Sequence, residues 1–147
     1  PYTISFPKPL VPIGDYPILE VVIRQLSKCG FQDIVISTGH LAELIEAYFG
    51  NGSRWGVRIS YVREDKPLST AGALKLVDGL HDNFLVMNGD LLTSLNYRNF
   101  FDLHLKEKAA ATIGTKRRES MIDFGVIDIG SDGCLEKYTE QAKATKR

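Results

Sequence analysis

The chain has 147 residues, 44% of them hydrophobic, and its 18 Lys and Arg balance its 18 Asp and Glu. That length and composition suit one soluble enzyme domain, and the zero net charge argues against a nucleic-acid footprint. No apolar run approaches the roughly 20 residues needed to cross a bilayer and nothing at the start reads as a signal peptide, so the expectation is a cytoplasmic protein with no membrane partner. Cys29 and Cys134 lie far apart without a CxxC, and His40, His81 and His104 show no ligand spacing. These patterns argue for two reduced structural cysteines and against zinc.

In chain order, Phe6-Pro7-Lys8-Pro9-Leu10-Val11-Pro12 holds one lysine in a proline-stiffened loop ahead of a helix. Pro17 to Lys28 predicts that helix, with Pro17 in its first turn, Gly30 beyond its last, and Ile18, Val21, Val22, Ile23 and Leu26 available for burial. Asp33 to Ser37 reads as a short buried strand. Leu41 to Phe49 reads as a second helix, stopped by Gly50-Asn51-Gly52, and Val57 to Arg63 alternates as a strand. A third helix is expected after Thr70, its N-cap, and ends near Gly79. Asn83 to Asn88 predicts a strand, Tyr97 to Lys108 a helix, and Ala109 to Lys116 another strand. Phe124 to Ile129 and Cys134 to Thr139 predict a hairpin around Ser131-Asp132-Gly133.

Strands alternating with helices of about ten residues imply βαβ units: an α/β domain with a mostly parallel, doubly wound, Rossmann-like sheet and helices on both faces. In such folds ligands gather at the carboxyl ends of the strands, where Val86-Met87-Asn88-Gly89-Asp90 delivers one carboxylate. No repeat, low-complexity segment or linker interrupts the chain. One domain is expected over residues 1–142, followed by a polar, basic tail over 143–147 whose composition suits disorder.

FPKPLVPIGDYPILE, the GHLAELIEAYFGNGSRWGVRISYV block, the STAGAL turn, NGD, DFGV and a final YTE run in one order. In that order the chain resembles, over nearly its whole length, the sugar 1-phosphate nucleotidyltransferases. These are the nucleotide-sugar pyrophosphorylases of the glucose-1-phosphate thymidylyl/uridylyltransferase and mannose-1-phosphate guanylyltransferase type. That family opens with an apolar strand and a glycine-rich GGxGTRL loop that holds the triphosphate, and it continues with further strands and a second metal-binding aspartate. The expectation is that Pro1 follows directly after that loop, that the strand before it would be central, and that a protein without it would expose strand edges.

The resemblance implies a reaction in which a sugar phosphate oxygen attacks the α-phosphorus of a nucleoside triphosphate and pyrophosphate leaves. Charge crowds together in that transition state, so cations must already be in place. Asp90 would hold Mg²⁺, and Lys8 would bring a point charge to the phosphates. Glu64, Ser69, Thr70 and Gly89 fall where the family binds the nucleotide. A carboxylate at Glu64 suits the paired N–H donors of guanine slightly better than the single one of uracil or thymine. Ser69 stands where the family has glycine. Gly125 and Glu140 fall where it meets the sugar, and Gln141 replaces a lysine that neutralises the sugar phosphate. Plain structural readings stand beside these: a turn cap for Asp90, a solvated lysine for Lys8, a surface carboxylate for Glu64 or Glu140, and a bulge for Gly125. Trp55 reads as a packing anchor, Lys116-Arg117-Arg118 as a solvated strand end, and His40 as a cap or core contact.

The leading expectation is a Mg²⁺-dependent transferase in nucleotide-sugar biosynthesis. Its partners would be a nucleoside triphosphate and a sugar 1-phosphate, with mannose 1-phosphate and GTP or glucose 1-phosphate and a pyrimidine triphosphate as the pairs, and it would form a homo-oligomer. The alternative is a catalytically inactive, nucleotide-sugar-sensing or regulatory subunit of the same fold, which Gln141 would fit. A structural assembly domain is a third reading, because one fold hosts many functions.

Overall fold

The computed structural model describes residues 6–66, 68–121, 125–139 and 143–146. The chain divides into two compact units, Pro1–Ala109 and Ala110–Arg147.

In the first unit the prolines do what their fixed φ dictates. Pro7 enters a 3-10 turn over Lys8–Leu10 in an extended conformation, and the Leu10 N–H donates to the Pro7 carbonyl at 3.0 Å. A small antiparallel hairpin, β1 (Pro12–Ile13) with β2 (Tyr16–Pro17), leads into α1 (Ile18–Lys28). Pro17 caps α1 from outside instead of entering it. Val22, Ile23 and Leu26 are buried as the sequence predicts, but Leu19 joins them while the expected Ile18 and Val21 are only half-buried, because the buried stripe is turned toward Leu19.

Glu20 is buried on the same helix, and burial alone would push its carboxyl pKa up. Tyr48 O–H donates to Oε2 at 2.7 Å and Arg24 donates twice to Oε1, at 2.9 and 2.6 Å. Those charge-assisted bonds outweigh the burial, so the pKa lies below its usual value.

β3 (Asp33–Thr38), α2 (Ala42–Phe49) and β4 (Arg58–Arg63) form a βαβ unit whose strands pair in parallel, from Asp33 opposite Arg58 to Thr38 opposite Arg63. Leu10, Leu19 and Ile23 pack with Ile45, Phe49, Trp55, Val57 and Ile59 in its core. Trp55 is the packing anchor its neighbours suggest, with its ring centroid 5.3 Å from that of Phe49. His40 lies exposed just ahead of α2.

Three expectations change here. The third helix is one short turn, α3 (Ser69–Gly72), continued as a 3-10 turn over Ala73–Leu76 and not reaching Gly79. Thr70 lies inside α3 and Leu68 precedes it, because the Glu64 carboxylate captures the Leu68 N–H at 2.9 Å and starts the turn earlier. Asn83 to Asn88 keeps strand-like alternation, with Leu85 and Met87 half-buried against Val22, Leu26 and Tyr97 while Phe84, Val86 and Asn88 are exposed. Neither that segment nor Ala109 to Lys116 joins a ladder among the described residues, so the parallel pairing described is that of β3 with β4. Periodicity sets which side chains face inward, but a ladder also needs a partner backbone. α4 (Tyr97–Glu107) follows, its Asn96 cap accepting from the Asn99 N–H at 3.0 Å.

In the second unit β5 (Arg118–Met121) pairs antiparallel with β8 (Lys143–Lys146). The expected polar tail is therefore a strand over most of its length: its charged residues deny it a core, yet its backbone can still complete a ladder. β6 (Val126–Ile129) and β7 (Leu135–Thr139) form the expected hairpin, with an irregularity at Asp128/Ile129. The Gly130 N–H donates to the Cys134 carbonyl at 2.8 Å across its turn, and Asp132 Oδ1 accepts from the Cys134 N–H at 3.0 Å. The Phe124 end of that prediction lies outside the described residues. Cys29 and Cys134 are both free thiols. No helix among the described residues is long and apolar enough to cross a membrane.

Two stability predictions come from this packing. Gly52 has φ +83°, and a Cβ there would stand 2.7 Å from Ile59 Cγ1 and 2.9 Å from the Val57 carbonyl oxygen. Gly52→Ala therefore loses about 2 kcal/mol or more in chemical denaturation. Glu20→Gln loses about 1–2 kcal/mol near neutral pH. Because the folded pKa of Glu20 is depressed, its stabilisation is complete above the ordinary glutamate range and fades as pH falls through the folded value. Melting curves of wild type and Glu20→Gln should converge on acidification, and a gap that stays constant with pH contradicts this assignment.

Candidate functional site

Parallel pairing in register brings the carboxyl ends of β3 and β4 to one edge, and the Glu64 N–H extends the pairing by donating to the Thr38 carbonyl at 2.9 Å. Thr38 is buried, and its hydroxyl donates inward to the Val62 carbonyl at 3.3 Å. Ser37, one residue earlier and on the opposite face, is exposed. Its Oγ donates to Glu64 Oε1 at 2.6 Å, while the Leu68 N–H donates to Oε2 at 2.9 Å. The Ser37 hydroxyl first, and the Leu68 amide second, hold the Glu64 carboxyl below its usual pKa.

A cleft of about 790 Å³ lies beside β3. Its apolar lining comes from Leu19, Val22 and Ile23 of α1 together with Leu85 and Met87, and its polar lining includes Ser37, Glu64 and Asn88.

The sequence-predicted residues are placed as follows. Glu64 and Gly89 line the cleft directly. Gly89 is close to Leu19, since a Cβ on it would meet Leu19 Cδ1 at 3.4 Å. Asp90 comes next, exposed, in a turn where the Leu91 N–H donates to the Asn88 carbonyl at 3.3 Å. Lys8 is exposed in its 3-10 turn, and its neighbour Pro9 lines the cleft. Ser69 and Thr70 lie in α3 and are not among the cleft's described lining residues; Ala71 and Gly72 separate them from the lining residues Ala73 and Leu74. Gly125 belongs to the second unit, where a Cβ would stand 2.5 Å from the Tyr138 ring, so its bare backbone makes room for that ring. Glu140 and Gln141 lie outside the described residues.

Among the described residues no group of three or more His, Cys, Asp or Glu could form a protein-only metal cage. A lone exposed carboxylate at Asp90 still fits Mg²⁺, which is commonly held by one or two carboxylates plus substrate phosphates and water.

The sequence model of the nucleotidyl transferase family matches residues 1–146. The chain belongs to this family. Among nucleotidyl transferase relatives, it is 35% identical over 156 residues to a UTP–glucose-1-phosphate uridylyltransferase of Synechocystis, covering 96% of this chain and 40% of that protein. It is also 35% identical over 125 residues to a D-glycero-alpha-D-manno-heptose 1-phosphate guanylyltransferase of Aneurinibacillus thermoaerophilus, covering 84% of this chain and 54% of that one. The chain thus spans about half the length, or less, of these curated relatives. Its fold is similar to that of a candidate glucose-1-phosphate thymidylyltransferase from Bacillus anthracis, with a TM-score of 0.68 and 26% identity over 97% of this chain and 58% of that structure. The α/β, Rossmann-like class expected from the strand and helix alternation is the class this chain adopts.

Ser37 is the residue that sequence reasoning passes over. The available signal is a small hydroxyl at the carboxyl end of a parallel strand, a position that is functional in open α/β sheets. A carboxyl titration followed by NMR should place the Glu64 midpoint below the usual glutamate value, and Ser37→Ala should move it upward. An unchanged midpoint in that variant contradicts the hydrogen bond as its cause.

Proposed function

We propose that the protein transfers a nucleotidyl group from a nucleoside triphosphate to a sugar 1-phosphate, producing a nucleotide sugar and pyrophosphate. The observation that carries this reading is that one cleft gathers Glu64, Asn88 and Gly89, with Asp90 exposed at the next position, in a chain of this family. Lys8 extends from a turn fixed between buried Pro7 and Leu10, so its ammonium is offered to phosphate from a pre-ordered backbone. Asp90 holds Mg²⁺ in this reading, and the ion when bound screens charge between attacking and leaving groups. Gly89 leaves the backbone open beside the Asp90 carboxylate.

Glu64 reads the base. Each of its oxygens already accepts one hydrogen bond and keeps a further lone-pair direction, which suits an edge presenting two adjacent N–H donors. That favours guanine, and with it GTP, over a pyrimidine triphosphate. Ser69 and Thr70 supply backbone beside the nucleotide, as the resemblance implies. The same reading takes the protein as a cytoplasmic homo-oligomer, as the family resemblance implies.

The test is a pyrophosphate-release screen of full-length protein against a panel of nucleoside triphosphates and sugar 1-phosphates with Mg²⁺. Release is expected with at least one pair, and Asp90→Asn should reduce it by about 100-fold or more. Lys8→Ala should lose about 10- to 100-fold. Nucleotide-sugar binding without turnover on any pair would overturn the transferase reading.

A further inference from the structure

We propose that Ser37 is a positioning residue for nucleobase recognition: from the carboxyl end of β3 its hydroxyl sets the plane of the Glu64 carboxylate toward the cleft. The inference rests on the transferase reading above and deepens it by adding a residue that determines base selectivity.

Glu64 is half-buried and follows the last residue of β4, so left alone its side chain would still sample more than one rotamer. Two donors remove that freedom. The Ser37 Oγ to Oε1 distance of 2.6 Å falls in the short range for a hydroxyl donating to an ionised carboxylate, and the Leu68 amide holds the other oxygen at 2.9 Å. Donors on both oxygens fix the carboxylate in rotation as well as position. Ser37 is itself held by the β3–β4 ladder, in which it lies opposite Val62, so the constraint originates in regular structure and not in a second loop.

Ser37 has little else to do in this fold. It is exposed, and the inward-facing role at this end of β3 belongs to buried Thr38. Ser37 and Glu64 both line the cleft. A hydroxyl that touches the base-reading carboxylate, and not the phosphates, should influence which base is accepted more than how fast the phosphoryl chemistry runs.

The experiment measures pyrophosphate release by full-length wild type, Ser37→Ala and Ser37→Thr with GTP, UTP, dTTP and ATP at saturating sugar 1-phosphate, together with melting temperatures. Ser37→Ala should raise KM for the preferred triphosphate about fivefold, the effect of losing one ordinary hydrogen bond. Its kcat should stay within about twofold, its melting temperature should hold, and its selectivity over the next-best base should fall. Ser37→Thr keeps the hydroxyl and should restore selectivity. If wild type discriminates among bases and Ser37→Ala discriminates equally well, the positioning role is overturned while the transferase reading stands. If wild type shows no turnover with any pair, the transferase reading fails and the inference falls with it.

Discussion

The in-register parallel pairing of β3 with β4 is the constraint on which the rest of the first unit depends. Parallel strands must be connected by a crossover, and α2 with the turn at Gly52 provides it. The pairing then brings two carboxyl ends to one edge, where Ser37, Thr38 and Glu64 meet. A one-residue slip would exchange the faces of the strand, turning Thr38 outward and Ser37 inward and separating Ser37 from the Glu64 carboxylate.

The buried Glu20 and Thr38 are both tied to the same scaffold by hydrogen bonds. Glu20 is the more demanding of them, since an unpaired carboxylate among Leu19, Ile23 and Trp55 would be strongly destabilising. Arg24 from its own helix and Tyr48 from α2 satisfy it, so this one carboxylate joins two helices of the βαβ region. Glu64 uses the same physics at the surface. There its partners order a functional group at the mouth of a cleft instead of completing a core.

The second unit is built from antiparallel pairings: the β6–β7 hairpin and the β5–β8 pair. The hairpin needs only a short local turn, closed by Gly130, Asp132 and Gly133. The β5–β8 pair instead joins segments well separated along the chain. That difference explains why the hairpin was legible in the sequence and β8 was not. Asp132 and Gly133 announce a turn, whereas Lys143–Lys146 carries charges that read as a solvated tail until a partner strand is present.

By itself the sequence determined the local elements whose signals lie within a few residues of one another: α1 from its apolar stripe, α2 from Gly50-Asn51-Gly52, α4 from Tyr97 to Lys108, and the β6–β7 turn. It also determined the family, through motifs preserved in one order, and with it Asp90, Glu64 and Lys8 as candidates. Only the tertiary structure decided what depends on groups far apart in the chain. Ser37 and Glu64 are 27 residues apart and meet because their strands pair. Asn83 to Asn88 has a strand's periodicity but makes no ladder among the described residues, and α3 starts just after the carboxylate of Glu64, which follows β4, captures the Leu68 amide. Side-chain periodicity is a property of the local chain, whereas hydrogen-bond partners and clefts belong to the packed molecule.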